Sequence, residues 1–308
     1  MSLQRVEGFP EPRTLGPSVL TIGAYDGLHR GHMALLGPVI ETARREGLLS
    51  VMATFEPHPR CVLSPKDCPP NLTTLEEKAW LLEGLGLDCL VVIPFTQQLA
   101  QLRASGFLQR LLRGIELRRL VVGYDFAFGR GRHGDHAFLR QFAERRGFVL
   151  ETVPAVVRTG EPIGSSRIRR LILLGQLRAA AQLLGRDYLL RSRVEHGSQR
   201  GHSLGFPTAN LAIAKNKLIP PHGVYAVRVQ VEGRNHPGAA YVGIRPTFGE
   251  HQLMVEAYLF DFEGDLYERE LAVSFVQRLR GERRFATVAA LQQQMRRDVD
   301  KAKRVLGS

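Results

Sequence analysis

The sequence predicts an α/β protein of two domains: a parallel sheet covered by helices, followed by an antiparallel barrel or sandwich. Three observations carry this expectation. The first half alternates short apolar runs with amphipathic segments. The second half carries strand-like runs separated by turn signals, with no long helix between them. The length, 308 residues, is too great for one ordinary small domain and suits two.

The elements follow in order. Residues 18–23 are a short apolar run with Val19, Leu20 and Ile22, and a turn comes next. Residues 31–46 place Ala34, Leu35, Val39 and Ala43 at helical spacing. Strands are predicted at 48–55, 89–93, 120–123 and 148–153, and helices at 75–85, 106–112 and 135–146. Strands alternating with helices build a parallel sheet covered on both faces. Helices at 167–174 and 177–184 close this half, which puts the domains at residues 1–186 and 187–308. Beyond the boundary, 224–231, 239–243, 254–260 and 271–276 read as strands, with turn signals at Glu232-Gly233 and Glu263-Gly264. A last amphipathic helix, 286–306, sets Val288, Leu291, Met295, Val299 and Ala302 along one side.

Composition narrows the function classes. An apolar fraction of 44% is enough for real cores, and no run of 18 or more apolar residues offers a membrane span. The first 17 residues lack the apolar core of a secretory signal. The three cysteines, Cys61, Cys68 and Cys89, have no metal-type spacing, so reduced thiols and a cytoplasmic location are expected. The net charge of +12 is spread along the chain and interleaved with acids. That pattern favours anionic small molecules over nucleic acid, which would call for a concentrated basic stripe.

Two segments carry chemistry. Gly23, Asp26, Gly27, His29, Gly31 and His32 follow the first strand and open a helix. A helix start offers free N–H groups and positive potential to a phosphate. Two histidines three residues apart can donate to phosphate oxygens as charge builds in a transition state. Later loops end strands of the same sheet and can converge there: Thr54–Pro59 with His58, the Gly123–Arg132 loop with Asp125, Phe126 and Phe128, and Gly164–Arg169 with Ser165, Ser166, Arg167 and Arg169. Phe126 and Phe128 are equally readable as stacking groups or as core.

The second segment spans residues 196–210. Gly197, Gly201 and Gly205 make a loop able to wrap phosphates, though no Gly-Lys-Ser/Thr closes it as in a Walker loop. Thr208 and Asn210, two apart on a strand, offer a hydroxyl and an amide oxygen suited to Mg²⁺. Glu256 lies in an apolar strand, as an outward residue or as a general base.

Taken together, these segments resemble the bifunctional riboflavin kinase/FMN adenylyltransferase family, over nearly the whole chain. The Gly23–His32 stretch is similar to the family's HxGH nucleotidyltransferase signature, with Tyr25 for the usual Phe. Residues 164–169 resemble its Ser-Ser-Thr-x-x-Arg, with Gly164 at the first Ser and Ser166 keeping a hydroxyl at the Thr. Residues 205–210 resemble the Pro-Thr-Ala-Asn motif of riboflavin kinases, with His202 where Arg is frequent.

The resemblance implies a Rossmann-like adenylyltransferase domain and a β-barrel kinase domain with a terminal helix. It implies ATP and Mg²⁺ as cofactors, with riboflavin, FMN and FAD as substrates and products. For adenylylation it assigns Gly23, Asp26, Gly31, His32, Ser165, Ser166 and Arg169 to ATP, with His29, His32 and Arg169 catalytic. His58, Asp125, Phe126 and Phe128 fall to FMN. For the kinase it assigns Gly197, Gly201, His202, Gly205, Pro207, Thr208 and Asn210 to ATP, Thr208 and Asn210 to the metal, and Glu256 and Arg280 to the flavin, with Glu256 catalytic. Partners are expected to be small molecules, with no nucleic acid or membrane, and the chain a monomer or weak homo-oligomer. The rival readings are a chain with one working module and a nucleotidyltransferase for another cofactor precursor.

Overall fold

The computed structural model describes residues 2–195, 206–247 and 250–307. The chain packs as two compact units: Met1–Asn71 with Leu75–Gly164, and Leu72–Thr74 with Ser165–Ser308.

The first unit runs β1 (Gln4–Glu7), β2 (Leu15–Ile22), α1 (Arg30–Glu46), β3 (Leu49–Glu56), α2 (Pro59–Leu63), α3 (Leu75–Leu85), β4 (Cys89–Pro94), α4 (Gln97–Ala100), α5 (Ala104–Leu111), β5 (Ile115–Gly123), α6 (His136–Arg146) and β6 (Val149–Val153), then a small hairpin of β7 (Val157–Arg158) and β8 (Glu161–Pro162). The main sheet is wholly parallel, in the order β1-β4-β3-β2-β5-β6. Side chains alternate across each strand. Leu20, Val51, Val91 and Val122 therefore pack in one core and Val19, Met52, Leu90 and Val121 in the other. Both faces are buried, so the strands read as nearly continuous apolar runs. From β2 the chain goes to β3 on one side and reaches β5 on the other only later. That reversal opens a crevice beyond the carboxyl end of β2, where α/β sheets bind ligands.

Besides the unexpected small hairpin, β1 and β5 depart from expectation. β1 has a single apolar residue, Val6, and its charged neighbours suit an edge strand. β5 starts at Ile115 rather than at 120, because Glu116, Arg118 and Arg119 interrupt its apolar run. Arg118 and Glu116 pair with each other at the surface. The cysteines also differ from expectation. Cys61 and Cys68 are joined in a disulfide, and only Cys89, buried in β4, stays a thiol. The physical reason is local: α2 and the 3₁₀ turn after it fold back and bring the two cysteines together.

The second unit holds α7 (Ser165–Leu173), α8 (Leu177–Leu184), β9 (Tyr188–Glu195), β10 (Ala209–Leu211), β11 (Gly223–Val231), β12 (Arg234–Thr247), β13 (Glu250–Leu259), β14 (Glu270–Arg280) and α9 (Val288–Leu306). Its strands close into a barrel, β10-β13-β12-β11-β14-β9, and not a sandwich. The Glu232-Gly233 turn has both residues at positive φ, as a two-residue hairpin between right-twisted strands requires. β9 has no clean apolar alternation, because Arg191 and Arg193 point to Glu270 and Glu268. Thr287 caps α9, its hydroxyl accepting from the Ala290 N–H. Ala302 and Val299 of the expected stripe pack on the barrel. Val288 does not: it is 62% exposed, being the first helical residue, ahead of the turn that meets the barrel.

Candidate active sites

The first site is the loop between β2 and α1. His29 is the N-cap of α1, its Nδ1 accepting the His32 N–H at 3.3 Å. An Nδ1 that accepts leaves the ring proton on Nε2 in the neutral imidazole. The His29 and His32 rings stack at 3.6 Å, and Tyr25 meets His32 edge-on at 5.0 Å. His29 and Asp26 are buried. A Cβ at Gly31 would come within 3.1 Å of the His29 ring, so any larger residue there would push on it.

The loop backbone is unusual. Tyr25, Gly27 and Leu28 all have positive φ, at 49°, 90° and 41°. Only glycine takes such values at little cost; each other residue costs about 1–3 kcal/mol and persists where its surroundings enforce it. Two anchors do so. Thr21 gives its proton to the Val121 carbonyl at 2.8 Å, so the Tyr25 hydroxyl donates to Thr21 Oγ1. On the other side, Lys78 Nζ of α3 donates to the Ala24 carbonyl at 2.8 Å and to Thr54 Oγ1 at 3.0 Å.

Lys78 was not among the candidates drawn from sequence. It is buried, and burial pulls its pKa down to about 8, against the opposing pull of Asp26 and Glu56. Burial likewise raises the Glu56 carboxyl, partly offset by Lys78.

Other expected residues take varied positions. His58 caps the short α2, its Nδ1 accepting from the Arg60 N–H at 3.1 Å. Asp125 is exposed. Phe126 and Phe128 stack at 5.3 Å and pack, partly buried, on the sheet core, and Phe128 also meets Phe107 and Phe138. Ser165 and Ser166 open α7, and Arg169 is buried on it.

The second site is a cavity of about 360 Å³ at the barrel. Thr208, Glu256, Tyr258 and Arg280 line it, together with Leu291, Met295 and Val299 of α9. Asn210 stands opposite Glu256 across the β10–β13 pair, and Tyr241 stands opposite Glu256 on its other side. Directly opposed residues share a face, so Glu256 lies between an amide and a phenol. Thr208 immediately precedes β10, and Asn210 borders a second cavity of about 370 Å³ with Glu195 and Lys215. Pro207 is exposed. Gly197, Gly201, His202 and Gly205 lie outside the described residues.

The cavity wall is held by two polar contacts that sequence reading missed. Arg280 meets Asp298 of α9 through Nε at 2.9 Å and a second guanidinium nitrogen at 2.7 Å, with Gln294 also donating to Asp298 at 2.9 Å. Tyr241 donates to Glu282 at 2.5 Å. Burial, then the Glu282 carboxylate, push the Tyr241 phenol well above its ordinary range.

Comparison with known proteins agrees with both halves. Residues 11–167 match the FAD synthetase family and residues 184–306 the riboflavin kinase family. A bifunctional riboflavin kinase/FMN adenylyltransferase of Pseudomonas fluorescens is 39% identical over 287 residues, 92% of each chain. One of Escherichia coli (strain K12) is 36% identical over 291 residues, covering 94% of this chain and 93% of the other. A crystal structure described as a macrolide-efflux protein from Streptococcus pneumoniae shares the fold, with TM-score 0.84 and 29% identity, covering 97% of this chain and 98% of that one. Among the described residues here, no helix is long and apolar enough to cross a membrane. With a parallel-sheet unit bearing paired histidines at a helix start, a barrel unit bearing a carboxylate in a cavity, and relatives along the full length, this chain belongs to the bifunctional riboflavin kinase/FMN adenylyltransferase family.

Proposed function

We infer that this chain makes FAD in two ATP-dependent steps, phosphorylating riboflavin to FMN and then adenylylating FMN with release of pyrophosphate. What supports this reading is that the paired histidines at the start of α1 lie within residues 11–167, which match the FAD synthetase family, and the cavity bearing Glu256 within residues 184–306, which match the riboflavin kinase family.

In the barrel unit, riboflavin occupies the cavity bearing Glu256 and Arg280, and ATP approaches from the second cavity beside Asn210. The riboflavin 5′-hydroxyl attacks the γ-phosphorus, Glu256 takes its proton, and ADP leaves. Phosphoryl transfer depends chiefly on alignment and charge neutralisation. Among the described residues no group of three or more His, Cys, Asp or Glu is placed to hold a metal. On the family likeness, Mg²⁺ arriving with nucleotide would be held by Thr208 and Asn210, whose hydroxyl and amide oxygens are the neutral hard donors such a cation takes. Bound there, Mg²⁺ neutralises phosphate charge. Gly197, Gly201, His202, Gly205 and Pro207 are assigned to the phosphates on the family likeness.

In the parallel-sheet unit, an FMN phosphate oxygen attacks the ATP α-phosphorus and pyrophosphate departs, without a covalent enzyme intermediate. His29 and His32 stabilise the phosphates at the start of α1, beside Gly23, Asp26 and Gly31. On the family likeness alone, Ser165, Ser166 and Arg169 of α7, which opens the second unit, are assigned to the leaving pyrophosphate, and His58, Asp125, Phe126 and Phe128 to the flavin. The working domains are taken as 1–186 and 187–308, in a cytoplasmic monomer or weak homo-oligomer without nucleic acid as partner.

Chromatography of flavins after incubation with riboflavin, ATP and Mg²⁺ tests the reading. FMN appearing first and FAD after it is expected. Neither product refutes it, and FMN alone refutes the second step.

A further inference from the structure

We propose that Lys78 is a positioning residue for adenylylation: a buried cation that pins the loop carrying Asp26 and His29 to the end of β3, holding the paired histidines in register with the nucleotide. The inference rests on the reading of that loop as the adenylyltransferase site.

The geometry is a three-way clamp. Lys78 Nζ donates to the Ala24 carbonyl at 2.8 Å and to Thr54 Oγ1 at 3.0 Å, while Thr54 Oγ1 donates to the same carbonyl at 3.1 Å. A carbonyl has two lone pairs, and both of Ala24's are thus engaged. All three residues belong to the first unit. Ala24 lies directly before the positive-φ stretch at Tyr25, Gly27 and Leu28, and that stretch delivers His29 as the cap of α1. Thr54 lies near the end of β3, ahead of the loop with His58. One side chain therefore fixes the exits of two adjacent strands.

The cost of the arrangement argues for its use. A buried ammonium is disfavoured unless charged or dipolar partners compensate it. The charged groups acting on Lys78 are Asp26 and Glu56. A hydrophobic residue would fill the same place in α3 without that cost, but it could not restrain a carbonyl. Without Lys78 the Ala24 carbonyl loses its shorter bond and keeps the Thr54 bond at 3.1 Å, so the strained stretch that follows is held less firmly. Misplacing a reacting group by about 1 Å costs about 100-fold in rate.

The test uses the full chain, whose kinase activity reports on the other unit. Lys78→Met, Lys78→Ala and Thr54→Val are compared with His32→Ala for FAD formation from FMN and FMN formation from riboflavin. Lys78→Met is expected to lower kcat for FAD about 30–100-fold, with KM for FMN and ATP changed less than about threefold. Thr54→Val is expected to lower it about 3–10-fold, and the double variant to lose less than the product of the two, because both act on one carbonyl. Propylamine is expected to restore Lys78→Ala at least about tenfold by returning an ammonium to the vacated space. FMN formation is expected to be unchanged throughout. Should Lys78→Met keep more than a third of its FAD turnover while His32→Ala loses it, the clamp is refuted and the site stands. Full FAD synthesis by His32→Ala refutes the site itself. Multiplicative losses in the double variant, or no recovery with amine, reduce Lys78 to a packing residue and overturn the proposal.

Discussion

The two sites are built on opposite principles. The adenylyltransferase loop is a backbone device: a capped helix start, three residues at positive φ, and a buried lysine gripping a carbonyl. The kinase cavity is a side-chain device, assembled on a barrel wall from strands and a helix far apart in sequence. A site written in backbone can tolerate change in the side chains around it, but it fails when an anchor is removed. A site written in side chains fails one residue at a time.

Mutations can break or sharpen this contrast. The largest loss is expected from Glu256→Ala. Without a proton acceptor between Asn210 and Tyr241, FMN formation should fall about 10³–10⁴-fold. FAD formation from supplied FMN should be untouched; normal kinase turnover in this variant removes Glu256 from the chemistry. His32→Ala is the mirror experiment, with FAD formation down about 10²–10³-fold and FMN formation intact. A parallel fall in both activities would mean the two sites are not independent.

Asp298→Ala probes the cavity wall. It leaves the partly buried Arg280 without its counter-charge, a loss of about 1–3 kcal/mol in the barrel's stability. Urea unfolding followed in the second unit, together with a raised KM for riboflavin, would report it. An unshifted midpoint would show that Arg280 finds another partner.

The smallest effect is one of pH. Burial holds Lys78 near 8 against an ordinary 10.5. Between those values the unfolded chain binds more protons than the native one, so this residue's contribution makes stability rise with pH across that window. Melting curves from pH 8 to 10.5 should show that rise in the parent and less of it in Lys78→Met. Identical slopes would mean that Lys78 titrates normally.

The contrast also explains what was legible in the sequence. The Gly23–His32 segment is local, so strand, turn and helix start are readable from neighbouring residues. The strands with apolar runs were legible for the same reason, whereas β1 and the start of β5 carry too many charges to stand out. Lys78 was invisible because its partner Ala24 is 54 residues away and its own helix is otherwise unremarkable. Thr208, Asn210 and Glu256 were legible as chemistry, but only the strand register brings the latter two face to face. Tyr241 and Asp298 carried no signal, since a tyrosine in a strand and an aspartate on an amphipathic helix are ordinary surface residues until the barrel closes.

The placement of Asp298, Leu291, Met295 and Val299 on α9 has a genetic consequence. A stop codon ahead of Val288 would remove one wall of the barrel cavity and the partner of Arg280 while leaving the parallel-sheet unit whole. A cell carrying that allele should become dependent on FMN and indifferent to riboflavin. Late truncation would thus turn one enzyme of two steps into an auxotrophic marker for the first.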